Sequence, residues 1–273
     1  MTAALRILRP WMLRVLLTND DGIDAEGLQA LRRALLELAD VTLAVIAPDG
    51  NRSATARSIT FRRPLWVTEV PFDDGTHGFA CDGTPVDCVR LAALGLIDGF
   101  QPDVVVAGIN HGANLGDDIT YSGTVAAALE GIMLGLPAVA VSQASEPEFA
   151  AAAAFTARMV EQLDDVPLPE GTLLNVNVPP GQPLGVEVCR LGKRVYRDEL
   201  LLVEEEDGRR RFRLYGDSPV HDDEPGTDLA AVSAGRIAVT PLHFDLMAAH
   251  GIDELRAYDL AQLLAPAAEE LRE

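Results

Sequence analysis

The ten residues from Leu13 to Gly22, LRVLLTNDDG, set both the fold and the position of a candidate site. The apolar run VLL is typical of a buried β-strand, and the polar residues NDDG that follow it readily form a turn. The strand is therefore predicted to end in two adjacent carboxylates, Asp20 and Asp21.

Two neighbouring carboxylates at the end of a strand point to a cation. In open α/β sheets, ligands bind at the carboxyl ends of the strands, where the loops diverge and leave a crevice. The two acids repel each other unless a cation lies between them, and oxygen ligands favour magnesium, manganese or calcium over softer metals. The alternative on this stretch alone is an Asx-rich turn that closes the strand, which Asp and Asn form in proteins of every kind.

The rest of the first 180 residues alternates between strands and helices. An amphipathic helix from about Glu26 to Leu38 and a buried strand from Val41 to Pro48 follow the acidic turn, and this order implies a right-handed crossover and a parallel sheet. We therefore predict a doubly wound, mostly parallel, Rossmann-like α/β sheet over residues 12–180, after a loose extension of residues 1–11. Later segments repeat the pattern: strands at Pro102–Asn110, Leu136–Gln143 and Leu173–Val178, strand-type residues in Ile59–Val70 and Phe79–Cys81, a helix from Thr84 with Pro85 and Asp87 in its first turn, and a helix near Glu146–Leu163.

Two further loops leave the same edge of the predicted sheet. The loop from Asp49 to Ser58, DGNRSATARS, brings Ser53 within reach of the acidic pair, although a loop of this composition is also ordinary. The strand that ends at Asn110 opens into an N-x-G-x-N stretch, whose carboxamides and glycines suit close approach to a ligand. We interpret His111 in this stretch as a loop residue, and its position leaves a role as ligand or base open.

A helix start follows that stretch. The hydroxyls and unpaired N–H groups of Ser122, Gly123 and Thr124, at the positive end of the helix dipole, suit a phosphate group. The alternative for this segment is ordinary helix capping.

Composition and charge exclude several classes of partner. The 273 residues contain 22 Lys and Arg against 42 Asp and Glu, and this formal net charge of −20 disfavours nucleic acid polymers and anionic membranes. No apolar run reaches the ~18 residues of a membrane span. The three cysteines have no CxxC spacing, which predicts neither a disulfide framework nor a zinc site and favours a cytoplasmic location.

Residues 181–273 are predicted to form a C-terminal hairpin arm and oligomerisation elements that return to the core. Asp207-Gly208 is a strong hairpin turn, and it sets the acidic run 204–206 opposite the basic run 209–211 as a cross-strand ion ladder. The same register places Val203 opposite Phe212. A short helix over Thr227–Ala234, a strand RIAVTPL and a terminal helix near Asp253–Leu264 follow.

Together these stretches closely resemble the SurE family, the stationary-phase survival proteins that act as metal-dependent nucleotidases. The matching pieces are LLTNDDGIDAEGL, APDGNRSATARSIT, CDGTPVDCVRLA, PDVVVAGINHGANLGDDITYSGTVAAALEG and AVTPLHFDL, which span nearly the whole chain in order. The resemblance implies hydrolysis of nucleoside 5′- and 3′-monophosphates and, in some members, of polyphosphate. It also implies a homodimer or homotetramer with exchanged C-terminal elements.

The resemblance further implies the residues of the site. One divalent ion per subunit, Mg²⁺ or Mn²⁺, with Ca²⁺ able to replace them in crystals, would be held by Asp20, Asp21, Ser53 and Asn110. Asp20 and Asp21 would also be catalytic, and the phosphate would contact Asn114, Ser122, Gly123 and Thr124. One departure from the family pattern is ARSIT, residues 56–60, where members carry a glycine and often a histidine before the serine.

Three other kinds of protein compete with this interpretation. A receiver-type signalling domain also has paired acids after its first strand, but it needs an Asp after the third parallel strand, where this chain has Asn110, and a Lys in the parallel core, whereas Lys193 lies outside it. A dinucleotide oxidoreductase is disfavoured because no GxGxxG follows the first strand. A non-catalytic nucleotide-binding or signalling protein on the same fold stays open, since fold does not dictate function.

Overall fold

The computed structural model describes residues 12–144, 148–195, 200–214, 220–221, 224–258 and 260–264. The predicted extension of residues 1–11 lies outside this set. The chain divides into two compact units, residues 1–243 and residues 244–273. In the second unit, helix α6 spans Ala249–Ala257 and a 3-10 turn spans Leu260–Leu264.

The first unit has the alternating elements that the apolar pattern predicts, and the strand and helix boundaries fall close to the expected ones. Its elements in chain order are β1 Leu13–Thr18, α1 Glu26–Leu36, β2 Val41–Pro48, β3 Val67–Pro71, β4 His77–Cys81, α2 Pro85–Ala93, β5 Val104–His111, a 3-10 turn Gly116–Thr120, α3 Gly123–Met133, β6 Ala138–Gln143, α4 Ala150–Glu161, a 3-10 turn Leu163–Asp165, β7 Thr172–Val178, β8 Val186–Val188, β9 Arg194–Val195, β10 Leu201–Glu206, β11 Arg209–Arg213, β12 Val220–His221, α5 Asp228–Ser233 and β13 Ile237–His243.

A nine-stranded sheet organises the first unit, in the order β3-β4-β2-β1-β5-β6-β7-β13-β8. The six strands from β4 to β7 in this order are parallel, while β3 pairs antiparallel with β4 and β13 pairs antiparallel with β7. The chain proceeds outward from β1 on one side and from β5 on the other, so the strand order reverses between them. Ligands bind at such a switch point in doubly wound sheets. The predicted fold class is confirmed.

Helices cover both faces of the sheet. Helices α1 and α4 pack together on one face, around residues such as Leu28 and Leu31, and α2 and α3 pack together on the other, around Val89 and Val125. The strands between them are buried on both sides, as their continuous apolar runs predict. None of the helices among the described residues is long and apolar enough to span a bilayer.

Helix α2 begins as its sequence predicts. The Thr84 hydroxyl accepts the backbone N–H of Asp87 at 3.2 Å, and an Asp87 carboxylate oxygen accepts the Thr84 N–H at 2.9 Å. These reciprocal bonds form a capping box, which satisfies two N–H groups that a helix start leaves unpaired.

Strands β10 and β11 form the predicted hairpin, with one correction to its register. The three acidic residues 204–206 lie opposite the three arginines 209–211, and Arg210 contacts Glu205 at 3.2 Å, so the ion ladder is confirmed. The predicted pairing of Val203 with Phe212 is wrong, because an irregularity between Leu202 and Glu204 places Leu202 opposite Phe212. Such a bulge sets two residues of one strand against one of the other.

Three predicted boundaries also need correction. Residues 59–66 contain no strand, and two of their N–H groups bond to side-chain carboxylates: Thr60 N–H donates to Asp87 and Trp66 N–H to Asp82. The helix expected near Glu146–Leu163 spans Ala150–Glu161, and residues 145–147 lie outside the described set. The expected terminal helix at Asp253–Leu264 is instead the α6 helix and the separate 3-10 turn.

Candidate metal and phosphate site

The turn after β1 is closed by Asn19. Its buried carboxamide donates to the Gly22 carbonyl at 2.8 Å and accepts the Gly22 N–H at 3.2 Å. Gly22 has a φ of 109°, a conformation that side chains with a Cβ rarely adopt. The Asx turn that the sequence offered as the alternative therefore exists, and it is formed by the side chain of Asn19 and not by the carboxylates of Asp20 and Asp21.

Asp20 lies against the start of helix α3. The carboxylate is 3% exposed and accepts a hydrogen bond from the Thr124 hydroxyl. A Cβ placed on Gly123 would lie 2.7 Å from Asp20 Cβ and 2.8 Å from its Oδ2, so only glycine allows this approach. Burial raises the pKa of Asp20 to about 6, the Thr124 hydrogen bond opposes the rise, and the Asp21 charge adds to it.

Asp21 lies between two loops. Its Oδ2 accepts the backbone N–H of His111, the last residue of β5, at 3.0 Å, and its Oδ1 accepts the carboxamide N–H of Asn51 at 3.2 Å. Burial raises the pKa of Asp21, against the opposing hydrogen bond from the His111 backbone. His111 is thus the exposed last residue of β5, and not a loop residue as predicted, and its main chain orients the carboxylate.

The loop that carries Ser53 is attached to the acidic turn. The Arg52 N–H donates to the Asp20 carbonyl at 2.7 Å, and the Ser53 N–H donates to Asn51 Oδ1 at 2.9 Å. The side chain of Ser53 is exposed beside this attachment. The pattern analysis did not select Asn51, although it lies two residues before Ser53 in the same polar loop.

Asn110 follows the buried part of β5 and is half-buried. Its amide nitrogen donates to the Gly112 carbonyl at 2.7 Å, which leaves the side-chain oxygen as its remaining ligand atom. Asn110 lies next to His111, whose N–H binds Asp21, so the ends of β1 and β5 meet at the switch point.

Asn114 is held deeper, against the ends of β6 and β7. Its side-chain amide donates to the Ser142 hydroxyl at 2.7 Å. Its backbone carbonyl accepts the side-chain amides of Asn175 at 2.9 Å and Asn177 at 3.0 Å. The backbone N–H of Asn114 also donates to Asn177 Oδ1 at 2.8 Å. This network fixes the path of the N-x-G-x-N loop.

The start of α3 shows the helix capping that the sequence offered as one of two interpretations, together with a contact to the acidic pair. The Ser122 hydroxyl accepts the Val125 N–H at 3.1 Å and so caps the helix, while the Thr124 hydroxyl donates to Asp20. Ser122 is 7% exposed and Thr124 is fully buried. The Gly123 backbone lies at the positive end of the helix beside the acidic pair.

The donor set fits a hard divalent cation. Asp20, Asp21, Asn110 and Ser53 supply only oxygen ligands, which Mg²⁺ and Mn²⁺ prefer. Among the described ranges there is no cluster of three or more His, Cys, Asp or Glu that could hold a metal, so an ion here needs the uncharged oxygens of Asn110 and Ser53. Burial is the main cause of the raised pKa of each acid, and for Asp20 the neighbouring Asp21 charge adds to it.

Asp228 binds backbone N–H groups of segments near the site, and the sequence pattern did not indicate it. Its fully buried carboxylate accepts the backbone N–H groups of Gly116 and Gly192, both at 2.8 Å, and of Leu229 at 2.9 Å. It therefore joins the 3-10 turn that follows the N-x-G-x-N loop to the segment that precedes the hairpin. Its position just after the Thr227 cap was the only sign in the sequence, because the partners are distant along the chain.

Asp228→Asn is expected to lower the free energy of unfolding by about 3 kcal/mol. The carboxamide has one acceptor oxygen where the carboxylate has two, and its NH₂ group would face a backbone N–H. Urea unfolding followed by circular dichroism measures the change. The control is Asp245→Asn, which alters an exposed residue with one backbone bond to the Met247 N–H. Equal stability of the two variants would show that Asp228 does not hold these loops.

Comparisons with known proteins agree with the geometry. The family model described as "Survival protein SurE" matches residues 15–198. A protein of Rubrobacter xylanophilus named 5′-nucleotidase SurE is 51% identical over 267 residues, covering 92% of this chain and 99% of the relative. One of Chloroflexus aggregans with the same name is 46% identical over 252 residues, covering 90% and 98%. The crystal structure of the SurE protein from Aquifex aeolicus aligns with a TM-score of 0.76 at 36% identity, over 89% of this chain and 98% of that one.

Proposed function

The chain belongs to the SurE family, and from this premise we propose that it is a divalent-metal-dependent 5′-nucleotidase, which hydrolyses nucleoside 5′-monophosphates to a nucleoside and phosphate. The many relatives named 5′-nucleotidase SurE, at 46 to 51% identity over most of the chain, support the hydrolase activity. The observation that carries the metal-dependent site is the contact of the buried Asp20 carboxylate with Gly123 and Thr124. It brings a pair of acids and the positive end of a helix to one point.

We propose that Asp20, Asp21, Ser53 and Asn110 hold the ion, Mg²⁺ or Mn²⁺. When bound, such an ion neutralises charge on the phosphate and makes water a better nucleophile. The chain's own groups fix the geometry: Thr124 holds Asp20, while His111 and Asn51 hold Asp21 by its two oxygens. Preorganised donors of this kind accelerate reactions because they need no rearrangement as charge develops.

The phosphate is proposed to lie at the start of α3. Gly123 presents backbone at the positive end of the helix, with Ser122 and Thr124 on either side and Asn114 in the neighbouring loop. The Ser122 and Thr124 hydroxyls already bond within the protein, so we assign phosphate recognition chiefly to the main chain and dipole at Gly123. Hydrolysis of 3′-monophosphates and short polyphosphate is proposed as a second activity of the same site.

A phosphate-release panel tests this function. Nucleoside 5′- and 3′-monophosphates, a short polyphosphate and the simple ester p-nitrophenyl phosphate are each assayed after chelation and after addition of Mg²⁺, Mn²⁺ or Ca²⁺. We expect release from the 5′-monophosphates with Mg²⁺ or Mn²⁺ and none after chelation. Nucleotide binding without release under any metal would instead favour the non-catalytic nucleotide-binding alternative.

We propose that the protein is a cytoplasmic homodimer or homotetramer and that the β10–β11 hairpin is an arm that packs on another subunit. An isolated two-stranded ribbon is only marginally stable in water. This one nevertheless exposes several large apolar side chains: Leu201, Leu202, Val203, Phe212 and Leu214.

Deleting residues 203–212 and joining the ends is therefore expected to reduce the molecular mass of the assembly. Static light scattering measures that mass, and unchanged circular dichroism would show that the sheet has folded. A deletion variant with the mass of the intact protein would show that the hairpin is not an assembly arm.

A further inference from the structure

Helix α3 carries a completely buried carboxylate, Glu130, two turns beyond the proposed phosphate site. Its Oε2 lies 2.6 Å from Nη2 of Arg57, and its Oε1 lies 2.7 Å from Nη2 of Arg90. The two arginines belong to different elements, since Arg90 is on α2 and Arg57 is in the loop after β2. Because a buried charge is stable only when it is paired, Glu130 draws both elements onto α3.

Arg57 belongs to the loop of residues 49–60, here called the donor loop because it carries Ser53. Two backbone hydrogen bonds attach the loop to the site. Near its start, the Arg52 N–H donates to the Asp20 carbonyl at 2.7 Å, and further along the Ala56 N–H donates to the Tyr121 carbonyl, next to α3, at 3.1 Å. The Arg57 side chain therefore strengthens an attachment that the backbone begins at Ala56.

The backbone between these attachments is strained at two residues. Ala54 has a φ of 57° and Ala56 a φ of 50°, the left-handed conformation that glycine adopts at little cost and alanine does not. Contacts with the rest of the protein must offset the conformational cost at these two residues. Asn51 and Thr60 of the loop bond to the carboxylates of Asp21 and Asp87 as neutral donors, whereas Arg57 pairs two opposite charges. A guanidinium also binds a carboxylate with a defined geometry.

We propose that Arg57 is a positioning residue for the candidate site: its ion pair with Glu130 fixes the donor loop on α3 and so holds Ser53 at a set distance from the start of that helix. In this anchor an arginine and a buried carboxylate meet beside a turn in which alanine, and not glycine, has a positive φ. Only the metal measurement below rests on the proposed function.

The test compares Arg57→Met with Arg90→Met. Both variants remove one arginine from the same carboxylate, but only Arg57 belongs to the donor loop, so any general loosening of α3 would affect both equally. Hydrogen exchange of the metal-free protein reports the loop directly, through the bonded amides of Arg52 and Ala56. We expect these amides to exchange at least about tenfold faster in Arg57→Met and within about twofold of the intact protein in Arg90→Met.

A manganese titration of phosphate release supplies the second measurement. In Arg57→Met the Mn²⁺ concentration for half-maximal rate is expected to rise about tenfold, while the rate at saturating Mn²⁺ stays within about twofold, because the loop positions a ligand and takes no part in the reaction. If the intact protein has no metal-dependent activity, the proposed function fails, and the exchange measurement still decides the role of Arg57.

Two results would overturn the proposal: exchange of the Arg52 and Ala56 amides at the rate of the intact protein in Arg57→Met, or equal acceleration in both variants. If Arg57→Met does not fold because Glu130 is left with one partner, the double variant Arg57→Met/Glu130→Gln removes the buried charge as well. The exchange rates of the Arg52 and Ala56 amides in this double variant are then compared with those in Glu130→Gln alone. Equal rates in the two would overturn the proposal.

Discussion

Asp21→Asn is expected to lower phosphate release from nucleoside 5′-monophosphates by at least about 100-fold, the scale of losing one electrostatic group at a reacting centre. The variant keeps a side chain of the same shape, which can still accept the His111 N–H, so the fold should survive. It removes one of only two negative charges in the proposed donor set. Initial rates at saturating Mn²⁺, with circular dichroism for the fold, measure the effect.

Asp24→Asn is the matched control, because Asp24 is an exposed acid three residues further along the same turn. It removes the same charge from the same region of the surface and should leave the rate nearly unchanged. Chelation of the intact protein should abolish release, and Mg²⁺ or Mn²⁺ should restore it. Turnover that persists after exhaustive chelation would contradict the metal mechanism, and a normal rate in Asp21→Asn would remove Asp21 from the site.

The same substitution has an opposite effect on the stability of the metal-free protein. The pKa of Asp20 is raised on folding to about 6, chiefly by burial, so the folded state favours the protonated acid. Asp20 therefore lowers the free energy of unfolding at high pH. This effect is absent below the pKa of an unfolded Asp, near 4, and develops as the pH rises through about 6. Because the Asp21 charge adds to this rise, metal-free Asp21→Asn should lose less stability than the intact protein between about pH 4 and 6.5.

The elements of the fold were predictable because their signals are local. An apolar run of suitable length marks each parallel strand, and Thr84, Pro85 and Asp87 mark a helix start within four residues. Segment 59–66 shows where such signals fail. Its residues suit a strand, but the N–H groups of Thr60 and Trp66 bond instead to the side chains of Asp87 and Asp82. Nothing within the segment itself indicates those partners.

The candidate site divides in the same way. The positions of Asp20, Asp21 and Asn110 at one edge follow from strand order, because the carboxyl ends of adjacent parallel strands meet there. The supporting contacts do not follow from local pattern: Asp228 binds Gly116 across 112 residues, and Glu130 binds Arg57 across 73. The hairpin bulge between Leu202 and Glu204 could not be predicted for a related reason. A strand with consecutive apolar residues can pair in several registers that match its sequence almost equally well.

The contact between α3 and Asp20 makes Gly123 the second position where a small change should have a large effect. In Gly123→Ala the new methyl group would lie 2.7 Å from Asp20 Cβ, so the start of the helix and the acid must move apart. Displacement of a catalytic group by about 1 Å can cost on the order of 100-fold in rate, and we expect a loss of that size. The measurement is kcat and KM for a nucleoside 5′-monophosphate at saturating Mn²⁺.

Gly131→Ala is the control for Gly123→Ala, because it makes the same change in the same helix. Its methyl group would lie 2.9 Å from Val105 Cγ2, so it also strains the packing, but against the core and away from the acids. Gly131→Ala should therefore lower stability and leave kcat within about twofold, whereas Gly123→Ala should lose activity even where it remains folded. A rate near that of the intact protein in folded Gly123→Ala would show that the close approach of α3 to Asp20 does not shape the reacting geometry, and the phosphate would then have to bind elsewhere.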